Sequence, residues 1–296
     1  MKSLAVLNEC MFSDKQREFL ESKFSDAVFY TDTTSETLAI KRIGQRNIVI
    51  MDQFVFSFSE KLLKACKNLG LVIVNTTAYD AIDINLLNKY GVKLANLQEY
   101  ATQDVAEVAL SMIFALNNHT QTAQMIVTKD NVTDIWPGHP IIPFIKRRQL
   151  VKQIIGIVGL GKIGQRCAQM CHAFGMKVLG FNRSRKYISG VDIVPLERLF
   201  KEADVILITL SYQKQVMDKF ISRNLLSLAK QDALLISTSH PNLIDMSYLI
   251  QNPNKFRGIG FDYLVTDSVR QLMKVRKDNI IITPHLGFSK FFLWTL

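Results

Sequence analysis

Short apolar runs alternate with helical patterns through the first hundred residues of the chain. The runs predicted as buried strands are Leu4–Leu7, Val28–Tyr30, Asn47–Met51, Leu71–Val74 and Val92–Ala95. The helical patterns are Asp14–Phe24, Ser59–Leu69 and Asp83–Lys89, with Ser13 as a candidate cap and Gly70 and Gly91 as predicted stops. Such alternation predicts a parallel sheet wrapped by helices.

A long helix is predicted next, from Thr102 to about Asn118. It is apolar almost all round, which predicts either deep burial or a place in a subunit interface. Residues 132–143 hold Trp136, prolines and Gly138, and they predict an irregular loop. A second series of alternating strands and helices runs from Ile154 to Ile282, so the sequence predicts two α/β domains.

Composition places the chain among globular proteins. It has 296 residues, 48% hydrophobic and 21% charged, and its longest apolar runs are of strand length only. Met1–Leu7 is too short an apolar segment for a signal-peptide core and is interpreted as a strand, so we expect a cytoplasmic protein without a membrane partner. The four cysteines show no disulfide or metal-site spacing, and we expect them to be reduced and structural.

The net charge of +10 raises the hypothesis of a nucleic-acid partner. The basic residues are scattered, however, and the densest groups, Lys146–Arg148 and Arg183–Lys186, are short. Neither zinc-finger spacing nor an aromatic RNA-binding strand accompanies them. The charge therefore favours a solvated surface over nucleic-acid binding.

The segment from Ile154 to Gly164 is a β-branched strand that enters a glycine-rich turn and then a helix. Gly159 permits the tight turn, Gly161 lets the backbone approach a pyrophosphate, and Gly164 lets helix and strand pack closely. The helix N-terminus offers N–H groups and partial positive charge to phosphates. This context predicts a dinucleotide site, and the alternative is a glycine-rich turn without a ligand.

The residues after the second strand of this series bear on the choice of cofactor. An acidic residue commonly holds the ribose hydroxyls of NAD at this place, whereas here Asn182 is followed by Arg183, Ser184 and Arg185. A neutral residue followed by arginine and serine suits a 2′-phosphate. The sequence therefore favours NADP, with NAD possible if the segment is an ordinary polar loop.

Three segments together resemble the D-isomer-specific 2-hydroxyacid dehydrogenase family. They are Asn96–Glu107, the glycine turn with its trailing Ala173–Val178, and Thr283–Gly287. The resemblance implies a flavodoxin-like substrate domain (1–97, completed by 286–296) joined to a Rossmann-type doubly wound domain (98–285). It also implies an active site in the cleft between them and a homodimer whose contact includes the helix from Thr102.

The resemblance further implies hydride transfer between a nicotinamide and a 2-keto or 2-hydroxy acid, with a histidine exchanging the proton. That histidine corresponds to His285, and Asp262 is expected near the nicotinamide carboxamide. The implied cofactor-binding residues are Thr102, Gly159, Gly161, Lys162, Ile163, Gly164, Asn182, Arg183, Ser184, Thr209, Thr238 and Asp262. Thr77 and Ala78 are expected to meet the substrate, and no metal site is implied.

Two positions depart from the family pattern. His240 stands in place of the arginine that clamps the substrate, and Val265 in place of the carboxylate that supports the histidine. Imidazole cannot make the two-pronged contact of a guanidinium, and valine cannot stabilise an imidazolium. We expect an enzyme with an altered site, in which His240 and His285 are the catalytic residues. The alternative is a non-catalytic dinucleotide-binding protein of the same fold.

Overall fold

The computed structural model describes residues 2–10, 12–24, 26–52, 56–76, 79, 82–97, 100–129, 147–184, 187–212, 216–263, 265–276 and 278–288. The chain divides into two compact units, Met1–Tyr100 and Ala101–Ser289. The loop predicted at 132–143 lies outside the described residues. Of the segment 286–296, expected to complete the first domain, residues 286–288 group with the second unit, and the remainder lies outside the described residues.

The first unit is one parallel sheet with helices between successive strands. Its elements are β1 (Leu4–Val6), α1 (Asp14–Lys23), β2 (Val28–Phe29), α2 (Glu36–Ile43), β3 (Ile48–Met51), α3 (Glu60–Ala65), β4 (Leu71–Val74), α4 (Ile84–Lys89) and β5 (Lys93–Asn96). Within the described residues the strand order is β2-β1-β3-β4-β5, and every pairing is parallel. This flavodoxin-like order confirms the predicted fold class of the unit.

Local chemistry sets where the helices of this unit begin and end. Ser13 caps α1 as predicted, in a capping box with Gln16. Gly91, with φ of 71°, follows α4 as the predicted stop. The prediction for Gly70 is wrong, because α3 already ends at Ala65. Gly70 instead directly precedes β4, and its amide donates to the carbonyl oxygen of Asn47.

The second unit is a larger parallel sheet covered by helices. Its elements are α5 (Thr102–Asn117), α6 (Thr120–Lys129), β6 (Ile154–Val158), α7 (Lys162–Ala173), β7 (Lys177–Phe181), β8 (Val191–Ile193), α8 (Leu196–Glu202), β9 (Val205–Ile208), α9 (Arg223–Leu228), β10 (Leu234–Ser237), α10 (Met246–Gln251), β11 (Gly258–Asp262), α11 (Asp267–Val275) and β12 (Ile280–Thr283). Among the described residues the strand order is β12-β11-β10-β9-β6-β7-β8. This doubly wound sheet confirms the predicted Rossmann-type fold.

Helix α5 buries its apolar side chains inside its own unit. Ala109, Ile113 and Leu116 are at most 1% exposed and belong to the core formed with α7 and the sheet. Its exposed positions are Gln103, Glu107 and Ser111. Of the two alternatives for this helix, deep burial holds in the single chain. Because α5 leaves no apolar face uncovered among its described residues, burial of such a face is no longer an argument for a dimer. The dimer remains a prediction from the family resemblance.

The cysteines are free and buried, as expected for reduced structural residues. Burial raises the pKa of the Cys167 and Cys171 thiols to about 12, which keeps both protonated at neutral pH. No helix in the described part of the chain is long and apolar enough to span a bilayer.

Candidate active site

The glycine-rich turn after β6 has a backbone that side chains would obstruct. Gly159 has φ of 101°, a conformation that favours glycine, and its amide donates to Phe181 at 2.9 Å. A Cβ on Gly164 would lie 2.0 Å from the Gly159 carbonyl oxygen, so α7 can approach the turn only with glycine there. Gly161 differs, because a Cβ placed there would meet nothing within 4 Å. The open space at Gly161 is therefore available to a ligand.

The N-terminus of α7 adjoins that space. Gly161 is the N-cap residue, and glycine has no side chain with which to cap the amides of the first turn. Lys162 is exposed and Ile163 half-buried in this turn. The positive end of the helix dipole and an unobstructed glycine at the N-cap together suit a pyrophosphate, so the residues present fit a dinucleotide.

Asn182 connects the glycine turn with the loop after β7. Its Oδ1 accepts from the Leu160 amide at 3.3 Å, and its Nδ2 donates to the carbonyl and hydroxyl oxygens of Ser184 at 3.0 and 2.9 Å. Arg183 and Ser184 are exposed, and Arg185 lies outside the described residues. The described part of the loop after β7 therefore has no acidic residue and presents one arginine and one serine beside the glycine turn.

The three predicted threonines occupy different places in the second unit. Thr209 follows β9 and donates from its Oγ1 to the Gly159 carbonyl oxygen at 2.7 Å, which supports the turn from the neighbouring strand. Thr238 follows β10 and is half-buried. Thr102 is the first residue of α5 and is also half-buried. Thr209 therefore acts on the turn itself.

Four aromatic rings follow four neighbouring strands of this sheet. Tyr212 comes after β9, His240 after β10, Tyr263 after β11 and His285 after β12. Tyr212 stacks on His240 with centroids 4.3 Å apart. The rings of His240 and Tyr263 lie 5.1 Å apart, and those of Tyr263 and His285 lie 4.7 Å apart. We call these four side chains the aromatic row, and it places both predicted histidines at the edge where the glycine turn also lies.

Asp262 holds the turn that follows His285. Its Oδ1 accepts from the Leu286 amide at 2.6 Å and the Thr283 hydroxyl at 2.7 Å, and its Oδ2 accepts from the Gly287 amide at 2.9 Å. His285 itself has φ of 61°, a strained conformation for a residue with a side chain. The strained backbone at His285 sets the direction of its side chain. The hydrogen bonds to the Asp262 carboxylate offset the cost of that strain.

Burial and charge act on the His285 imidazole in opposite directions. Desolvation lowers the pKa of His285, and the nearby Asp262 carboxylate opposes that effect without cancelling it. Val265, at the position of the supporting carboxylate, is 37% exposed and cannot hydrogen-bond to a ring. The His285 pKa accordingly stays below its ordinary value.

The structure describes the predicted catalytic histidines but not the predicted substrate contacts. His240 and His285 enter one row, whereas Thr77 and Ala78 lie outside the described residues. Both carboxylate oxygens of Asp262 accept hydrogen bonds from the turn after His285, and its expected place near the nicotinamide carboxamide stays a prediction.

Neither Tyr212 nor Tyr263 was among the site residues predicted from the sequence. The available signal was positional. Each aromatic residue of the row lies within four residues of the end of a strand, and those strands are neighbours in the sheet.

Residues 110–287 match the family model described as D-isomer specific 2-hydroxyacid dehydrogenase, NAD binding domain. The chain belongs to this family. It is therefore an oxidoreductase that uses a nicotinamide cofactor, which confirms the predicted family and activity class. The matched segment includes the glycine turn and reaches past His285, so it contains both ends of the site described above.

Curated relatives and solved structures agree with this membership. The chain is 26% identical to a glyoxylate reductase of Pyrococcus furiosus over 256 residues, which cover 81% of this chain and 74% of the relative. It also resembles an acyclic imino acid reductase in complex with NADPH and D-Arg, with a TM-score of 0.84, 27% identity and coverage of 98% and 91%. A D-lactate dehydrogenase from Aquifex aeolicus, complexed with NAD and lactic acid, shares the fold with a TM-score of 0.80, 24% identity and coverage of 98% and 90%.

Proposed function

We propose that this chain is an NADPH-dependent reductase of 2-keto acids in which His285 donates the proton. The observation that carries the proposal is the turn at His285, which the Asp262 carboxylate holds at the same sheet edge as the glycine turn. Ligands of doubly wound sheets bind outside the carboxyl ends of the strands, where both turns lie. The names of the family relatives, among them a glyoxylate reductase, support a small keto acid as substrate.

A bound reduced nicotinamide would supply a hydride to the carbonyl carbon of the substrate. The protein has to supply the proton for the carbonyl oxygen, and His285 can donate it only as the imidazolium. Because burial lowers its pKa, His285 is mostly neutral at pH 7. A neutral imidazole has no imidazolium proton to donate, so we expect reduction to be faster in mild acid than at neutral pH.

His240 replaces the family arginine as the contact to the substrate carboxylate or carbonyl. Its half-buried ring lies between Tyr212 and Tyr263. An imidazole makes one directed hydrogen bond where a guanidinium makes two, so substrate binding through this position is weaker than in an arginine site.

The preference for NADPH depends on the segment after β7. Asn182 brings no negative charge that would repel a 2′-phosphate, and Arg183 and Ser184 are exposed beside it. One charge-assisted contact of ~1.5–3 kcal/mol corresponds to at least about a tenfold preference for NADPH over NADH. Titration calorimetry with both cofactors measures it. Arg183→Ala should abolish the preference, and Ser184→Ala, which keeps the charge, should retain most of it.

The activity is tested by following NADPH oxidation with a panel of 2-keto acids between pH 5 and 8. We expect turnover that is lost in His285→Gln while NADPH affinity is retained. The alternative is a binding protein that has lost catalysis. That alternative holds if no acid is reduced although NADPH binds, and if Val265→Glu combined with His240→Arg creates activity.

A further inference from the structure

The ring of Tyr212 packs face to face on the ring of His240. The two centroids are 4.3 Å apart and the ring planes differ by 18°, which is a stacked arrangement. Tyr263 also contacts the imidazole, but its plane is tilted by 57°. The last torsion of a histidine side chain has broad minima, so the groups packed against the ring determine the plane that it takes. Tyr212 lies parallel to this plane and therefore restricts its rotation.

The phenol of Tyr212 is anchored at its far end. Its hydroxyl donates to the carboxylate of Asp218 and accepts from Asn242 Nδ2 at 3.3 Å. Desolvation and the hydrogen bond to Asp218 raise the pKa of Tyr212, so the phenol keeps its proton and remains a donor. Two hydrogen bonds at the hydroxyl thus fix the direction of the ring that stacks on His240.

Asn242 joins both rings to one short stretch of backbone. Its backbone amide donates to Nδ1 of His240 at 3.1 Å, while its side chain reaches the Tyr212 hydroxyl. The segment that carries Asp218 is tied to the same residue, because the Lys219 amide donates to the Asn242 carbonyl oxygen at 2.7 Å. The stacked tyrosine, its two hydrogen-bond partners and the imidazole therefore form one connected group.

We propose that Tyr212 is a positioning residue that holds the His240 imidazole in the plane in which it meets the substrate. The inference rests on the proposed reductase function, which makes His240 the contact to the substrate. An arginine fork presents five N–H donors, whereas an imidazole makes hydrogen bonds only at its two ring nitrogens and in its own plane. Substrate binding through His240 accordingly depends on the orientation that Tyr212 sets.

Substitution of Tyr212 should act on KM more than on kcat. With NADPH at pH 6.5 and pyruvate or glyoxylate as substrate, Tyr212→Leu should raise KM on the order of tenfold, about one directed hydrogen bond, with kcat and NADPH affinity nearly unchanged. Tyr212→Phe keeps the stacked ring without its anchor, so its KM should lie between those two. Tyr248→Leu is the matched control and should keep the native KM, because Tyr248 is also half-buried and packs against the same hydrophobic core.

A double-mutant cycle tests whether Tyr212 acts through His240. In His240→Ala there is no ring to position, so adding Tyr212→Leu should change kcat/KM by less than about twofold. An equal loss of kcat/KM in the native and His240→Ala backgrounds overturns the proposal. A fall in NADPH affinity that accompanies the rise in KM also overturns it, since Tyr212 would then act on the cofactor.

Ring relaxation tests the position of His240 separately from activity. In protein labelled with 13C-histidine, the order parameter of the His240 ring should fall in Tyr212→Leu and keep its native value in Tyr248→Leu, with the signal assigned from His240→Gln. An unchanged order parameter in Tyr212→Leu refutes the proposal. Absence of turnover with every 2-keto acid of the panel refutes the reductase function and leaves the relaxation result to decide whether Tyr212 holds the ring.

Discussion

The carboxylate of Asp262 accepts a hydrogen bond of 2.6 Å from the backbone amide of Leu286, the residue directly after His285. Asp262 ends β11, is 1% exposed, and also accepts from the Gly287 amide. A Cβ on Gly287 would lie 2.9 Å from the Val105 Cα, so the turn sits directly against α5. A buried carboxylate thus connects two strands and fixes the backbone that carries the proposed proton donor.

Asp262→Asn should lower both stability and the pH at which reduction declines. The amide group can replace one acceptor oxygen but presents its NH₂ to the other backbone amide, at a cost of ~1–3 kcal/mol in free energy of unfolding. The loss of negative charge removes the effect that raises the His285 pKa, so the decline should move to lower pH. Urea unfolding and the pH profile of kcat/KM measure the two effects.

Thr283→Val is the control for this change, because it removes one hydrogen bond to Asp262 and keeps the charge. It should destabilise the protein less and leave the pH profile in place. An unchanged profile in Asp262→Asn would show that this carboxylate does not act on His285.

The pH dependence of the native protein follows from the lowered pKa of His285. The imidazolium is fully present below that pKa and is lost as pH rises through it, so reduction should fade below the ordinary histidine range. Val265→Glu should move the decline upward by on the order of one pH unit, because a nearby carboxylate favours the charged ring. In the control variant Val265→Gln, glutamine has nearly the shape of glutamate but no charge, so its pH profile should match that of the native protein. A profile that moves equally in both variants contradicts an electrostatic role for this position.

Two glycines of the dinucleotide turn should separate folding from binding. Gly161→Ala places its methyl group in open space, so the melting temperature should hold while NADPH affinity falls on the order of tenfold, about one hydrogen bond to a charged phosphate. Gly164→Ala meets the Gly159 carbonyl oxygen and should cost at least ~1–3 kcal/mol in stability. Thermal melting and calorimetry measure both quantities. Equal NADPH affinity for Gly161→Ala and the native protein excludes the space at Gly161 as the pyrophosphate site.

The homodimer implied by the family resemblance can be tested on the exposed face of α5. Light scattering at micromolar concentration should give a dimer, and Ser111→Arg should give a monomer if this face lies in the contact. Ser227→Arg on α9 is the matched control, because both serines are exposed and donate to a carbonyl three residues earlier. A native monomer rules out the predicted assembly.

The sequence by itself determined the alternation of strands and helices and the dinucleotide turn, while the proton-exchanging role of His285 stays a prediction. These features depend on neighbours in the chain. The glycine spacing from Gly159 to Gly164 is a local requirement of backbone geometry, and the Ser13 cap acts on the first turn that follows it. Gly70 was predicted to end α3, but its amide bonds to the carbonyl oxygen of Asn47, a partner that is distant in sequence.

Only the tertiary structure decided how the site is held together. Tyr212, His240, Tyr263 and His285 are more than 20 residues apart in sequence at each step, and the parallel sheet places them side by side. The apolar pattern of α5 suits burial and assembly equally, and packing against α7 and the sheet decided for burial. The sequence around Asp262 does not show which groups its carboxylate contacts. Its partners became visible only once β11 and β12 were paired, because hydrogen bonds between strands depend on register and not on sequence spacing.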